Sequence, residues 1–100
     1  MKSVKEIKEM LKNYRSVDIK VGILERAGKK TTEMQEHQLL TECVECLDDE
    51  GKDIIKRIYF IGLSQRDYAK RNYTSHTTIQ RKEEKLFKII TECYNYSNKK

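Results

Sequence analysis

The sequence predicts an all-α protein, an N-terminal helical hairpin followed by three helices whose last two form a helix-turn-helix. Three observations lead there. Apolar residues recur at spacings of three and four through most of the 100 residues. Proline and tryptophan are absent, and charged residues make up 37% of the chain, a composition suited to solvated helices rather than to a sheet. Small hydroxyl or carboxylate residues stand just ahead of each periodic segment, where a helix needs its first amides capped.

Residues 3 to 27 read as the first helix. Val4, Ile7, Leu11, Tyr14, Val21 and Leu24 share one face, with Asp18 in one slot of that stripe and Ser3 as the cap. Lys2, Lys5, Lys8 and Lys12, interspersed with Glu6 and Glu9, form a solvated opposite face. Ala27-Gly28 ends the element. Unbroken, it would be about 37 Å long, more than the C-terminal half could cover. A second copy of the chain, as in a short coiled coil, and a fold-back onto the next helix both satisfy the surplus apolar stripe.

After the GKKTT loop and cap at 28 to 32, a second helix from Thr32 to Leu47 carries Met34, Leu39, Leu40, Cys43, Val44 and Leu47 on one side. Glu33, Glu36, Glu42 and Glu45 occupy the other. These glutamates suit pairing with the lysines of the first helix, giving an antiparallel hairpin. An acidic surface that docks on another protein is the alternative. Residues 48 to 52 read as a turn, and Asp53 as the cap of a third helix that ends at Gly62. Ile55, Ile58 and one of Tyr59 or Phe60 are its core candidates.

From Gly62 to Ile90 the pattern sharpens. Ser64 caps a short helix, with Asp67 at the spacing of a reciprocal cap. That helix runs out at Arg71-Asn72-Tyr73-Thr74, where Asn72 is the residue best suited to a left-handed conformation. Ser75 starts the last helix, with Ile79, Leu86 and Ile90 on one face, Phe87 beside them, and His76, Thr77, Gln80, Arg81 and Glu84 opposite. Ala69 stands where two crossing helices tolerate only a small side chain. After Ile90 the helix is expected to continue for about a turn and give way to a polar, mobile tail. The division is thus 1–50, used for oligomerisation or partner docking, and 51–96, the DNA-binding region.

Two helices joined by a tight turn place the second in the major groove. The base-edge candidates are His76, Thr77, Gln80 and Arg81, with Thr78 nearer the edge of that face. Arg66, Arg71, Tyr73, Lys82 and Lys85 are placed for phosphates. Charge agrees. Residues 1 to 30 carry a net +5, residues 31 to 50 a net −7, residues 51 to 90 a net +6 and the last ten +1, giving +5 overall. A merely solvated basic face, and a bundle that uses the same turn for protein contacts, are the competing readings.

On Gly62-Leu63-Ser64, Tyr68-Ala69, Ser75, Ile79 and Arg81-Lys82 with Leu86, the last half of the chain resembles region 4 of bacterial sigma factors. It is similar also to the small phage late-gene regulators of the ArpU and RinA type. Two positions depart from the pattern: Tyr73 stands where the turn usually has glycine, and Lys82 where the recognition helix often has a third apolar residue. The resemblance implies a compact bundle that binds promoter DNA and acts on RNA polymerase or complements a separate sigma-like subunit. It implies a phage or mobile-element origin, and no ability to initiate transcription alone.

Other chemistries find little support. Cys43 and Cys46 form a C-x-x-C, but late in a helix and beside Glu42 and Glu45, surroundings that raise thiol pKa values rather than activate them. Zinc would need two more ligands from His37, Cys93 or His76, without a second tight pair, so no metal and no cofactor is expected. No glycine-rich phosphate loop, nucleophile elbow or paired-histidine motif is present, and the chain does not read as an enzyme. No apolar run approaches the ~20 residues that span a bilayer, and no secretory leader is evident, so the expected address is cytoplasmic.

Overall fold

In the computed structural model, which describes residues 1–98, the described residues contain helices and no strand. The helices are α1 (Val4–Lys12), α2 (Tyr14–Arg26), α3 (Thr32–Glu45), α4 (Asp49–Ile55), α5 (Gln65–Arg71) and α6 (His76–Asn98). A π-helical turn, Lys56–Ile61, extends α4. No helix among the described residues is long and apolar enough to cross a membrane.

The expected first helix is interrupted. Ser3 and Glu6 form a reciprocal capping box at its start, but Asn13, at φ −95° and ψ 5°, separates α1 from α2. Asparagine is a poor helix former, and the two pieces serve different neighbours. Ile7 and Leu11 of α1 are fully buried, and α1 packs on α6. Tyr14 of α2 stacks on Phe60 with ring centroids 3.8 Å apart, and its hydroxyl meets Thr41 Oγ1 at 2.6 Å. The stripe thus turns inward against the chain's own helices, and no second copy is needed to cover Ile7, Leu11, Tyr14 or Val21.

Helix α3 is capped by Thr31, whose hydroxyl accepts from the Met34 amide. Leu40, Cys43, Val44 and Leu47 of the expected apolar side are buried, whereas Leu39 and Met34 are half-buried. Of the expected pairings, Lys2 meets Glu36 at 3.8 Å and Lys20 meets Glu33 at 2.8 Å, whereas Lys8 pairs with Glu84 of α6, Lys12 with Glu9 of its own helix and Glu45 with Lys56. His37 is buried and binds Asp18 Oδ1 through Nε2 at 2.9 Å, which accounts for a carboxylate in the α2 stripe.

The third helix begins earlier than its sequence suggested. Asp48, not Asp53, is the cap, accepting from the Gly51 amide at 2.7 Å. Gly51 is therefore not part of a turn. It lies buried in the first helical turn, where an added Cβ would stand 2.7 Å from Leu86 Cδ2, so glycine permits the close approach of α4 and α6. Asp53, inside the helix, instead takes the Arg57 Nε and the Tyr68 hydroxyl. Ile54 and Ile55 are fully buried, while Ile58, Tyr59 and Phe60 pack against the core from its edge. The π turn changes the angular step between residues and lets all three of these bulky side chains reach that edge. It ends at Gly62, at φ +98°, with the Leu63 amide donating back to Arg57 O.

The C-terminal segment is not a mobile tail over its described length. Helix α6 continues to Asn98 and buries Tyr94. Asn95 exchanges two 2.8 Å hydrogen bonds with the backbone of Lys2, fastening the chain's two ends together. Lys99 and Lys100 lie outside the described residues. One buried cluster runs from Ile7 through Leu40, Ile55 and Phe87 to Tyr94, drawing on helices from both halves of the chain.

Candidate nucleic-acid interface

Helix α5 starts at Ser64, whose hydroxyl accepts from the Asp67 amide at 3.1 Å, and ends at Asn72. Tyr68 and Ala69 are its buried residues, and Ala69 is covered by the packing of α5 on α6. Asn72 does not adopt the left-handed conformation. Its side-chain amide donates to Tyr68 O at 2.9 Å, and its φ is −103°. Tyr73 takes that role instead, at φ +53°, with its side chain fully exposed. Tyr73 thus carries the unfavourable backbone itself.

Helix α6 is capped by Ser75, whose Oγ accepts from the Thr78 amide at 3.2 Å and lies 2.8 Å from Thr78 Oγ1. Thr78 is half-buried and its hydroxyl is occupied in this way, so its methyl is the part left for a ligand. Thr77, Gln80 and Arg81 are exposed together on one face, and His76 is half-exposed at the helix start. The structure brings these four to one end of α6. Arg66 and Arg71, at the two ends of α5, and Lys85 on α6 are exposed. Lys82 is half-buried and pairs with Glu50 at 3.2 Å, so a phosphate would have to compete with that carboxylate. Among the described residues it is the only cation of α5 or α6 with an acidic partner within 4 Å.

Glu83 was not anticipated. It stands four residues after Ile79 and four before Phe87, so the apolar stripe that identified those residues also places Glu83 inward. Its side chain is only 2% exposed. Gln65 Nε2 donates to Oε2, the Tyr59 hydroxyl lies alongside, and Oε1 has no hydrogen-bond partner. Burial pushes this carboxyl above the ordinary glutamate range, against the pull of Gln65, Tyr59 and the Lys8 ammonium. A cleft of about 360 Å³ opens beside it, lined also by Lys8, Gln65, Thr77, Gln80, Arg81 and Glu84.

The cysteines sit elsewhere. Cys43 is buried and pushed up to about 12 by that burial and by the Cys93 thiol, which also raises Cys46. These thiols are held protonated, opposite to what redox attack requires. No group of three or more histidine, cysteine or acidic side chains that could hold a metal occurs among the described residues.

Comparison with protein-family models, with curated proteins and with solved structures finds no match.

Proposed function

We propose that the chain is a DNA-binding transcription regulator whose α5 and α6 act as a sigma region 4-like helix-turn-helix. In this reading α6 lies in the major groove of promoter DNA. His76, Thr77, Gln80 and Arg81 face base edges, with the Thr78 methyl at the margin, and Arg66, Arg71, Tyr73 and Lys85 reach phosphates. Lys82 joins them when it exchanges Glu50 for a phosphate. RNA polymerase, or a separate sigma-like subunit, is the protein partner.

The observation that carries this reading is the distribution of free positive charge. Arg66, Lys70, Arg71, Arg81, Lys85 and Lys88 on α5 and α6 are exposed and have no acidic partner within 4 Å among the described residues. Lys2, Lys8, Lys20 and Lys56 are each paired with a glutamate of another helix, whereas Lys5, Arg15, Arg26, Lys29 and Lys30 are exposed and unpaired as well among the described residues. What sets the cations of α5 and α6 apart is that they flank the exposed face of Thr77, Gln80 and Arg81. Unpaired cations flanking an exposed polar helix face are what a phosphate backbone binds. The adaptor alternative loses ground for the same reason. Glu33, Glu36 and Glu45 of the acidic helix are engaged by Lys20, Lys2 and Lys56, which leaves Glu42 as the one glutamate of that helix with no cation within 4 Å among the described residues.

A second copy of the chain would pack on α2, where Ile19 and Ile23, one turn apart, are exposed at 68% and 60%. The functional test is selection of duplexes from a random pool by the full chain. Arg81→Ala and Gln80→Ala should each relax the preference at one position at a cost of about 1 to 3 kcal/mol. Identical losses on every duplex would remove these residues from base reading.

A further inference from the structure

We infer that Gln65, the first residue of α5, also reads a base, and that the buried Glu83 positions it by turning its amide so that the carbonyl faces outward. The inference rests on the DNA-binding reading above. Gln65 and Glu83 line the same cleft as Thr77, Gln80 and Arg81, so Gln65 shares a mouth with the α6 residues assigned to base edges although it comes from another helix.

An amide can present either of its two ends to a ligand, and what lies behind it decides which. Behind Gln65 is Glu83 Oε2, which accepts from Nε2. One Nε2 hydrogen is thereby committed inward, which fixes the amide and leaves Oε1 on the side away from Glu83. Glu83 is itself held: it is packed in the α6 stripe between Ile79 and Phe87, with the Tyr59 hydroxyl beside it and Lys8 over the Phe87 ring at 5.6 Å.

The choice of residue is otherwise unfavourable. A carboxyl buried with one oxygen unpartnered loses hydration that an apolar side chain of similar size would never have needed. What it supplies and leucine could not is a fixed direction for the Gln65 amide. A carbonyl aimed at the major groove accepts from the exocyclic amino group of adenine or cytosine, and meets only acceptors on guanine or thymine. Gln65 therefore selects an amino-bearing base on the strand it faces.

The test compares motifs that the full chain and its Gln65→Ala and Glu83→Gln variants enrich from a random duplex pool, with helicity by circular dichroism to confirm folding. The wild-type motif should contain one position restricted to adenine or cytosine. Gln65→Ala should lower that preference about three- to tenfold, the range of one hydrogen bond, and leave the other positions enriched. Glu83→Gln, which can accept or donate, should admit guanine and thymine at that position. A Gln65→Ala motif identical to the wild type would overturn the role of Gln65 while leaving DNA reading intact. A Glu83→Gln protein that binds every duplex more weakly with an unaltered motif would reduce Glu83 to a packing residue. A wild-type chain that enriches no motif would remove both this inference and the reading beneath it.

Discussion

The Tyr68 hydroxyl donates to Asp53 Oδ2 at 2.6 Å and joins α5 to the middle of α4, while Arg57 Nε holds the other oxygen at 2.7 Å. The two donors keep the Asp53 carboxyl below the ordinary aspartate range, Tyr68 contributing most. The same contact raises Tyr68, after the larger effect of its burial. A short helix is thus anchored at its midpoint rather than by its length.

Tyr68→Phe is expected to destabilise the fold by about 1 kcal/mol at neutral pH, since the partner is charged but partly solvated. The sign of the pH dependence follows from the lowered carboxyl. Its stabilisation is complete above the unfolded value of about 3.9 and is lost as pH falls through the lower folded value. Urea unfolding of both proteins should therefore show a gap at pH 7 that narrows in strong acid. A gap independent of pH would mean that lost packing, not the hydrogen bond, is what the substitution removes.

Tyr73 bears a left-handed backbone with a side chain that touches nothing, so it incurs the steric cost of that conformation without a compensating contact. Tyr73→Gly should raise stability by roughly 0.5 to 1 kcal/mol, the left-handed penalty less the extra entropy of glycine in the unfolded chain. Tyr73→Val should lower stability. Denaturant midpoints decide this, and a less stable glycine variant would contradict the backbone account.

How much of this was legible follows from which residues act locally. Ser3, Thr31, Ser64 and Ser75 cap the helices they precede because capping needs only neighbouring amides. Ile79, Leu86, Phe87 and Ile90 are buried because a single helix face suffices to predict it. The misses all depend on distant partners. Asn13 breaks a periodic helix because its two parts face different neighbours, and Asp48 outcompetes Asp53 as a cap because Gly51 must sit inside the helix against Leu86. Asn95 orders the C-terminal helix through Lys2, 93 residues away. At the candidate interface, exposure of Thr77, Gln80 and Arg81 was readable from the helix period, whereas the occupation of Lys82 by Glu50 and of Gln65 by Glu83 was not.

Glu83 gives the opposite pH dependence to Asp53. Burial favours its protonated form in the folded protein. Its contribution is fully present below the unfolded glutamate value of about 4.3 and is lost as pH rises through the higher folded value. Glu83→Gln cannot ionise, so the wild type should lose stability relative to this variant between about pH 4 and the folded value, and the difference should stay constant above it. Thermal unfolding across that range checks the sign, and parallel curves for the two proteins would show that Glu83 stays equally ionised in both states.

The central claim is that the unpaired cations of α5 and α6 bind phosphates while α6 reads bases. It is tested most directly by a salt titration of the full chain and Lys85→Ala against a pool-enriched duplex and a scrambled one. The account predicts tighter binding to the enriched duplex and an affinity that falls steeply with salt. It also predicts that Lys85→Ala weakens both duplexes alike and lowers the log–log slope by about 1. Weak binding that does not distinguish the duplexes and barely changes with salt, even at low ionic strength, would contradict it.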